Sequence, residues 1–203
     1  MVKNKFYEFE LVLRRKKAEF LRPLMWLLTK IGLTANYLTL IGVLFSFATF
    51  YFIITNQRMY ALVAFLVSYL FDVLDGSLAF YQHSDSDKGK FFDTLADSIA
   101  ITAIALGLIY VGTISGLNGG LYIYLTHICL FLRVLVNSLW IKTDWLFKAR
   151  AGVRAHIPKY VVFVFFILWC FGNLSNLNLV LYVLNIYMVL LAIFSFIQVV
   201  SHK

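Results

Sequence analysis

Apolar residues gather in six long runs along the chain, at roughly 36–55, 59–81, 91–113, 120–141, 157–173 and 178–200, with short polar stretches between them. Each run is close to the ~20 residues a helix needs to cross a ~30 Å hydrocarbon core. Lipid offers no partners to backbone amides, so spanning segments must be helices rather than an open sheet. The pattern predicts an all-α, polytopic membrane protein with six transmembrane helices. The stretch before the first run is different. In residues 3–22, KNKFYEFELVLRRKKAEFLR, Phe6, Phe9, Val12, Leu13 and Phe20 are interleaved with Lys3, Lys5, Arg14, Arg15, Lys16 and Lys17. That mixture predicts an amphipathic helix lying in the membrane interface. Pro23 interrupts or restarts it, Gly32 ends its second part, and Thr34 or Asn36 caps the first span. The domain reading is an interfacial amphipathic segment over 1–33 and a six-helix transmembrane catalytic domain over 34–203.

Composition agrees with this class. The chain has 203 residues, 62% of them hydrophobic and 14% charged, with a mean hydropathy of +0.83. A soluble domain carries about a quarter charged residues. The net charge of +8 is one-sided. With the N-terminus inside, the inner segments hold 16 of the 18 Lys and Arg residues, while the outer loops hold Arg58 alone. Both termini are therefore expected on the cytoplasmic side. The basic excess suits an anionic leaflet and anionic substrates, and nucleic acid is not needed to explain it. Cys129 and Cys170 both lie in apolar runs and read as small buried hydrophobes. The basic, mixed N-terminal stretch lacks the pattern of a cleavable signal peptide.

Against this oily background, four aspartates stand at helical spacing. Asp72 and Asp75 are three apart near the inner end of the second run, and Asp93 and Asp97 are four apart at the inner start of the third. These spacings put each pair on one helix face. The short connection makes the two helices antiparallel neighbours, so the pairs can face each other. Asp72 lies about 13 Å from the inner end of its helix at 1.5 Å per residue. An unpaired Asp at the bilayer centre costs at least ~2.5–3.5 kcal/mol. Two divalent cations would balance four carboxylates, and an all-oxygen site favours Mg²⁺ or Mn²⁺ over zinc. Two such ions a few Å apart suit phosphoryl transfer. Gly76, Ala79 and Gly89 leave room beside the carboxylates for a ligand, or for close helix packing. Asp85 and Asp87, in the intervening loop, read as solvated surface charge.

The stretch Asp72-Val-Leu-Asp75-Gly76-Ser-Leu-Ala79, followed by Gly89-Lys-Phe-Phe-Asp93-Thr-Leu-Ala-Asp97, resembles the signature of the CDP-alcohol phosphatidyltransferase family. The six spans and the interfacial N-terminal helix agree with it. The resemblance implies an enzyme of phospholipid synthesis that moves a phosphatidyl group from CDP-diacylglycerol to an alcohol and releases CMP. It implies two ions, Mg²⁺ or Mn²⁺, held by Asp72, Asp75, Asp93 and Asp97. Asp93 and Asp97 would be catalytic, with Asp97 as the base for the attacking hydroxyl. Nucleotide contacts would come from Asn36, Thr39, Asp72, Gly76, Ala79 and Gly89. The resemblance also implies a homodimer, and a prokaryotic plasma membrane is the default location.

Two positions depart from the family pattern. Phe80 stands where the family has Arg, next to the nucleotide end of the site, and Lys88 or Lys90 is a candidate for the missing charge. Ala35 precedes Asn36 where the family often has Pro. On the acceptor side, Arg133 lies within the fourth span with Asn137 one turn on. An Arg inside a span is a functional candidate by default. The basic loop that follows adds Lys148, Arg150, Arg154, His156 and Lys159. Arg133, Asn137 and Arg154 are the candidate acceptor-binding residues, because guanidinium suits bidentate phosphate contacts. They favour glycerol 3-phosphate or inositol phosphate over serine or choline. His127 reads as a packed or hydrogen-bonded span residue. Competing readings are a transferase using a small CDP-alcohol donor with a lipid acceptor, a catalytically silent relative, an intramembrane prenyltransferase, and a cation transporter whose aspartates are the transport site.

Overall fold

A computed structural model describes residues 19–84, 87–139, 145–172 and 177–201, and the side chains of all of these except 87, 88, 90, 133–139, 145–157, 198, 199 and 201. Seven helices, and no strand, occur among the described residues: α1 Arg22–Lys30, α2 Ala35–Ile54, α3 Arg58–Tyr81, α4 Asp87–Tyr110, α5 Gly116–Leu139, α6 Trp145–Cys170 and α7 Leu177–Ser201. Four are long and apolar enough to cross a membrane: α2, α3, α4 over Phe91–Tyr110 and α7 over Leu177–Ile197. α5 and α6 are apolar over the shorter stretches Gly116–Leu132 and Pro158–Cys170. Apolar helices of this number and length make the chain an integral membrane protein. The amphipathic helix expected over residues 3–18 lies outside the described residues.

Two boundaries differ from expectation. α4 begins at Asp87, so the polar residues read as loop form its first turn, and Gly89 is helical. α6 begins at Trp145 and carries Pro158 inside it, where a loop was expected up to residue 157. Hydropathy marks where a helix enters lipid; the polar turns that continue it carry no such mark.

The chain divides into two compact units, Met1–Thr49 with Val63–Ala100 and Phe50–Leu62 with Ile101–Lys203. In the first, Pro23 sits in the opening turn of α1, where its missing N–H and fixed φ suit a helix start. Met25 is fully buried and forms a core with Leu38 of α2 and Leu74 and Leu78 of α3, flanked by Leu21, Leu28, Leu33, Phe71 and Tyr81. Gly32, at φ +77°, ends α1 as predicted. Its N–H donates to the Thr29 carbonyl at 3.0 Å, and the Leu33 N–H donates to Leu28 at 3.0 Å. This double closure needs a left-handed residue, and it brings Leu28 and Leu33 together on the core. Thr34 then precedes α2 and accepts the Tyr37 N–H at 3.1 Å. α3 ends through the same closure around His83, at φ +51°, with the Ser84 N–H on the Ala79 carbonyl at 3.0 Å.

α2 and α3 meet along a polar seam. The Gln82 amide of the α3 terminus donates to the Leu33 carbonyl at 2.9 Å and to Thr29 Oγ1 at 3.2 Å. Thr39 contacts Asp75. The Ser68 hydroxyl donates to the Gly42 carbonyl at 2.8 Å, and Ser46 Oγ lies 2.9 Å from Ser68 Oγ. Steps forward along α2 are matched by comparable steps back along α3, as in an antiparallel pair held in one register. A Cβ at Gly42 would lie 3.4 Å from the Ser68 carbonyl oxygen and 3.5 Å from Phe71 Cβ. Small residues thus let the backbones approach while the hydroxyls satisfy one another, a usual solution in lipid.

In the second unit the main packing is α5 against α7. Asn178 Oδ1 accepts the Ser115 N–H at 2.8 Å, Asn118 donates to the Asn178 carbonyl at 2.9 Å, and the buried Asn185 amide donates to the Asn118 carbonyl at 3.0 Å. The Tyr122 hydroxyl ties α5 to α6 by donating to the Pro158 carbonyl at 3.3 Å. Trp169 donates to Thr113 Oγ1 at 3.1 Å, and the Arg58 guanidinium lies 4.8 Å from its ring centre, a cation–π contact. Both cysteines are free thiols, Cys170 buried and Cys129 half-buried, and His127 Nδ1 lies 2.7 Å from the Ile123 carbonyl.

Gly107 supports a close approach in this unit: a Cβ there would stand 2.8 Å from Cγ2 of the fully buried Ile53. Gly107→Ala is expected to destabilise the protein by about 1–3 kcal/mol through overpacking. Combining it with Ile53→Ala, which removes the crowding methyls, should cost less than the sum of the two single changes. Denaturant unfolding in detergent micelles checks this.

Candidate active site

All four aspartates belong to the first unit. Asp72 and Asp75 project from the last turns of α3, and Asp93 and Asp97 from the first turns of α4. Because α4 starts at Asp87, Gly89, Asp93 and Asp97 fall at intervals of four on one continuous helix face. Asp75 is 4% exposed. Asp72 and Asp97 are half-buried, and Asp93 is exposed. The charged groups that act on Asp75, among the described residues, are Asp93 and Asp97. Asp75 of the first pair thus lies within electrostatic reach of both members of the second.

Thr39 completes the inner side. Its hydroxyl donates to Asp75 Oδ2 at 2.6 Å, and its oxygen also lies 3.1 Å from the Ala35 carbonyl. Beside the carboxylates the site is open. Gly76 is exposed, and a Cβ there would meet nothing within 4 Å. Ala79 and Gly89 are half-buried, and Asn36 is exposed in the first turn of α2. Phe80, Phe91, Phe92 and Leu95 present apolar surface on the same helix ends. Arg133 and Asn137 lie on α5 and Arg154 on α6, with side chains outside those described, as are those of Lys88 and Lys90. The Thr39–Asp75 bond was not foreseen. Its signal was present only in the register of the two helices, which residue spacing within one helix does not reveal.

Among the described residues no group of three or more carboxylate, imidazole or thiol side chains converges closely enough to hold an ion as the side chains stand. The residues nevertheless fit divalent cations that are incompletely caged by protein. The donors are carboxylates alone. A buried member of the set has two others of like sign acting on it, and open space adjoins it at Gly76. Mg²⁺ keeps several waters and takes one or two carboxylates plus substrate phosphates, so it does not require three protein ligands at once.

The sequence model of the CDP-alcohol phosphatidyltransferase family matches residues 32–198. The chain belongs to this family and is an enzyme of its class, a membrane transferase of phospholipid synthesis. Its fold is similar to that of the phosphatidylinositol phosphate synthase PgsA1 of Mycobacterium tuberculosis. The apo form is 18% identical with a TM-score of 0.53, over 88% of this chain and 92% of that one. The form with CDP-DAG bound is 19% identical with a TM-score of 0.55, over 88% and 89%. The complex with manganese and citrate is 17% identical with a TM-score of 0.55, over 88% and 85%. No curated protein matches the chain.

Burying Asp75 beside two like charges works against stability unless a cation intervenes. Asp75→Asn removes that repulsion and keeps an acceptor for Thr39. In metal-free buffer the variant should be more stable than wild type by ~0.5–2 kcal/mol, the usual gain when a strained functional group is relaxed, and it should have lost turnover. Thermal unfolding in EDTA, beside an activity assay, checks both.

Proposed function

We propose that the protein transfers a phosphatidyl group from CDP-diacylglycerol to an alcohol that itself bears a phosphate, such as glycerol 3-phosphate or inositol phosphate. The observation that carries this reading is buried Asp75 within electrostatic reach of Asp93 and Asp97, with open space at neighbouring Gly76. Asp72, Asp75, Asp93 and Asp97 would hold two ions, Mg²⁺ or Mn²⁺. When bound, the ions supply charge stabilisation for the attacking and leaving oxygens. Asp97, with Asp93 one turn before it, takes the proton of the acceptor hydroxyl. That oxygen bonds to the phosphorus carrying diacylglycerol, and the bond from this phosphorus to the CMP oxygen breaks. Gly76, Ala79 and Gly89, with Asp72, border the nucleotide, and Asn36 closes its far side. Phe80 replaces a family Arg there with apolar surface.

Arg133, Asn137 and Arg154 bind the acceptor, with the two guanidinium groups on its phosphate. Support for a phosphorylated acceptor comes from this basic set and from the likeness of the fold to a phosphatidylinositol phosphate synthase. The layout is six spans behind an interfacial N-terminal helix. The bias of Lys and Arg puts both termini and the site on the cytoplasmic side, in a prokaryotic plasma membrane, and the protein acts as a homodimer.

The test is CMP release by purified protein from CDP-diacylglycerol, with glycerol 3-phosphate, inositol phosphate, inositol, serine and choline offered in turn. Metal-dependent release is expected with one phosphorylated acceptor, and Asp97→Asn should lower it by about 10²–10⁴-fold, the usual contribution of a general base. Release with serine, choline or inositol alone would overturn the assignment to a phosphorylated acceptor. Release with none of the five would overturn this donor and acceptor pairing.

A further inference from the structure

We infer that Thr39 is a positioning residue for the Asp75 carboxylate: its hydroxyl, reaching across from α2, sets the plane in which Asp75 meets a cation. This inference rests on the reading that the four aspartates hold divalent ions. α3 fixes the Cβ of Asp75 but not its carboxylate, because the terminal torsion of Asp is broad and roughly twofold. One hydrogen bond to one oxygen removes that freedom and with it the freedom of the second oxygen. The Thr39 bond suits this task. At 2.6 Å it falls in the range of charge-assisted O–H···O⁻ bonds, which are about twice as strong as neutral ones.

The donor is itself held. Thr39 Oγ1 lies 3.1 Å from the Ala35 carbonyl one turn back on its own helix, the arrangement that selects a rotamer for a helical threonine. Its station opposite Asp75 is fixed on one side by the contact of Gly42, Ser46 and Ser68, and on the other by Gln82 on Leu33. Asp75 is almost fully buried, so bulk water is poorly placed to replace the bond. The Thr39 hydroxyl has two acceptors in reach, Asp75 Oδ2 at 2.6 Å and the Ala35 carbonyl at 3.1 Å, and the nearer, carboxylate oxygen is the stronger one.

The two roles open to Thr39 separate experimentally. Groups that orient a metal ligand without touching the metal typically cost 10–100-fold in metal affinity or activity when removed. Mn²⁺ is titrated into the full-length protein in detergent micelles, and the free aqua ion is followed by its paramagnetic resonance signal. Wild type is compared with Thr39→Val, Thr39→Ser and Asp75→Asn, each checked for cooperative thermal unfolding. Thr39→Val should weaken Mn²⁺ binding by about 10–100-fold. Thr39→Ser, which keeps the hydroxyl, should recover most of it. Thr39→Ala removes the same proton without bulk and replaces Val should Val disturb the seam. Intact Mn²⁺ affinity in Thr39→Val, with affinity lost in Asp75→Asn, would overturn the inference while leaving the metal site standing. A raised donor KM with intact Mn²⁺ affinity would mark Thr39 as a nucleotide contact and overturn it equally. Equal Mn²⁺ binding by wild type and Asp75→Asn would show that the aspartates are not the metal site, and both readings would fall together.

Discussion

The close contact between α2 and α3 governs the site. Lipid gives helices little hydrophobic reason to associate, so their approach depends on shape and on polar groups satisfying one another. Here Gly42 removes the obstacle and Ser46 and Ser68 supply the hydrogen bonds. Once that register is set, Thr39 arrives opposite Asp75. The buried core of Met25, Leu38, Leu74 and Leu78 then fastens α1 to the same pair. The carboxylates of α3 owe their placement to residues that carry no chemistry themselves.

The site places charge where solvation is poor. Asp75 is buried, and the charges acting on it from α4 have its own sign. Such an arrangement is poor for folding and well suited to capturing cations. Open space adjoins Gly76, and Asp93 and Asp97 are more exposed than Asp75.

Much of this was legible in the sequence. The helical class, the cores of the spans and the helical spacing of the two aspartate pairs follow from periodicity and spacing alone. Gly32 announced the end of α1 through its left-handed preference. What was missed has common physical causes. The start of α4 at Asp87 and the early turns of α6 were read as loops because apolar periodicity begins only where lipid does. Pro158 lies inside α6. The Thr39–Asp75 and Gly107–Ile53 contacts join residues 36 and 54 positions apart. They depend on how helices are set against each other, which no window along one helix contains.

The shared register of the α2–α3 seam also limits how such a chain can change over evolutionary time. Its residues turn by about 100° and rise by 1.5 Å each. Loss or gain of one residue between Ser68 and Asp75, or between Thr39 and Ser46, would swing the carboxylate away from its hydroxyl partner while the hydroxyl contact of Ser46 with Ser68 stayed in place. Exchange of one oily side chain for another on the outer faces of the same segments leaves the register untouched. The segment is therefore permissive in spelling and strict in length. Insertions and deletions should accumulate in the connections between helices, where no register is carried across.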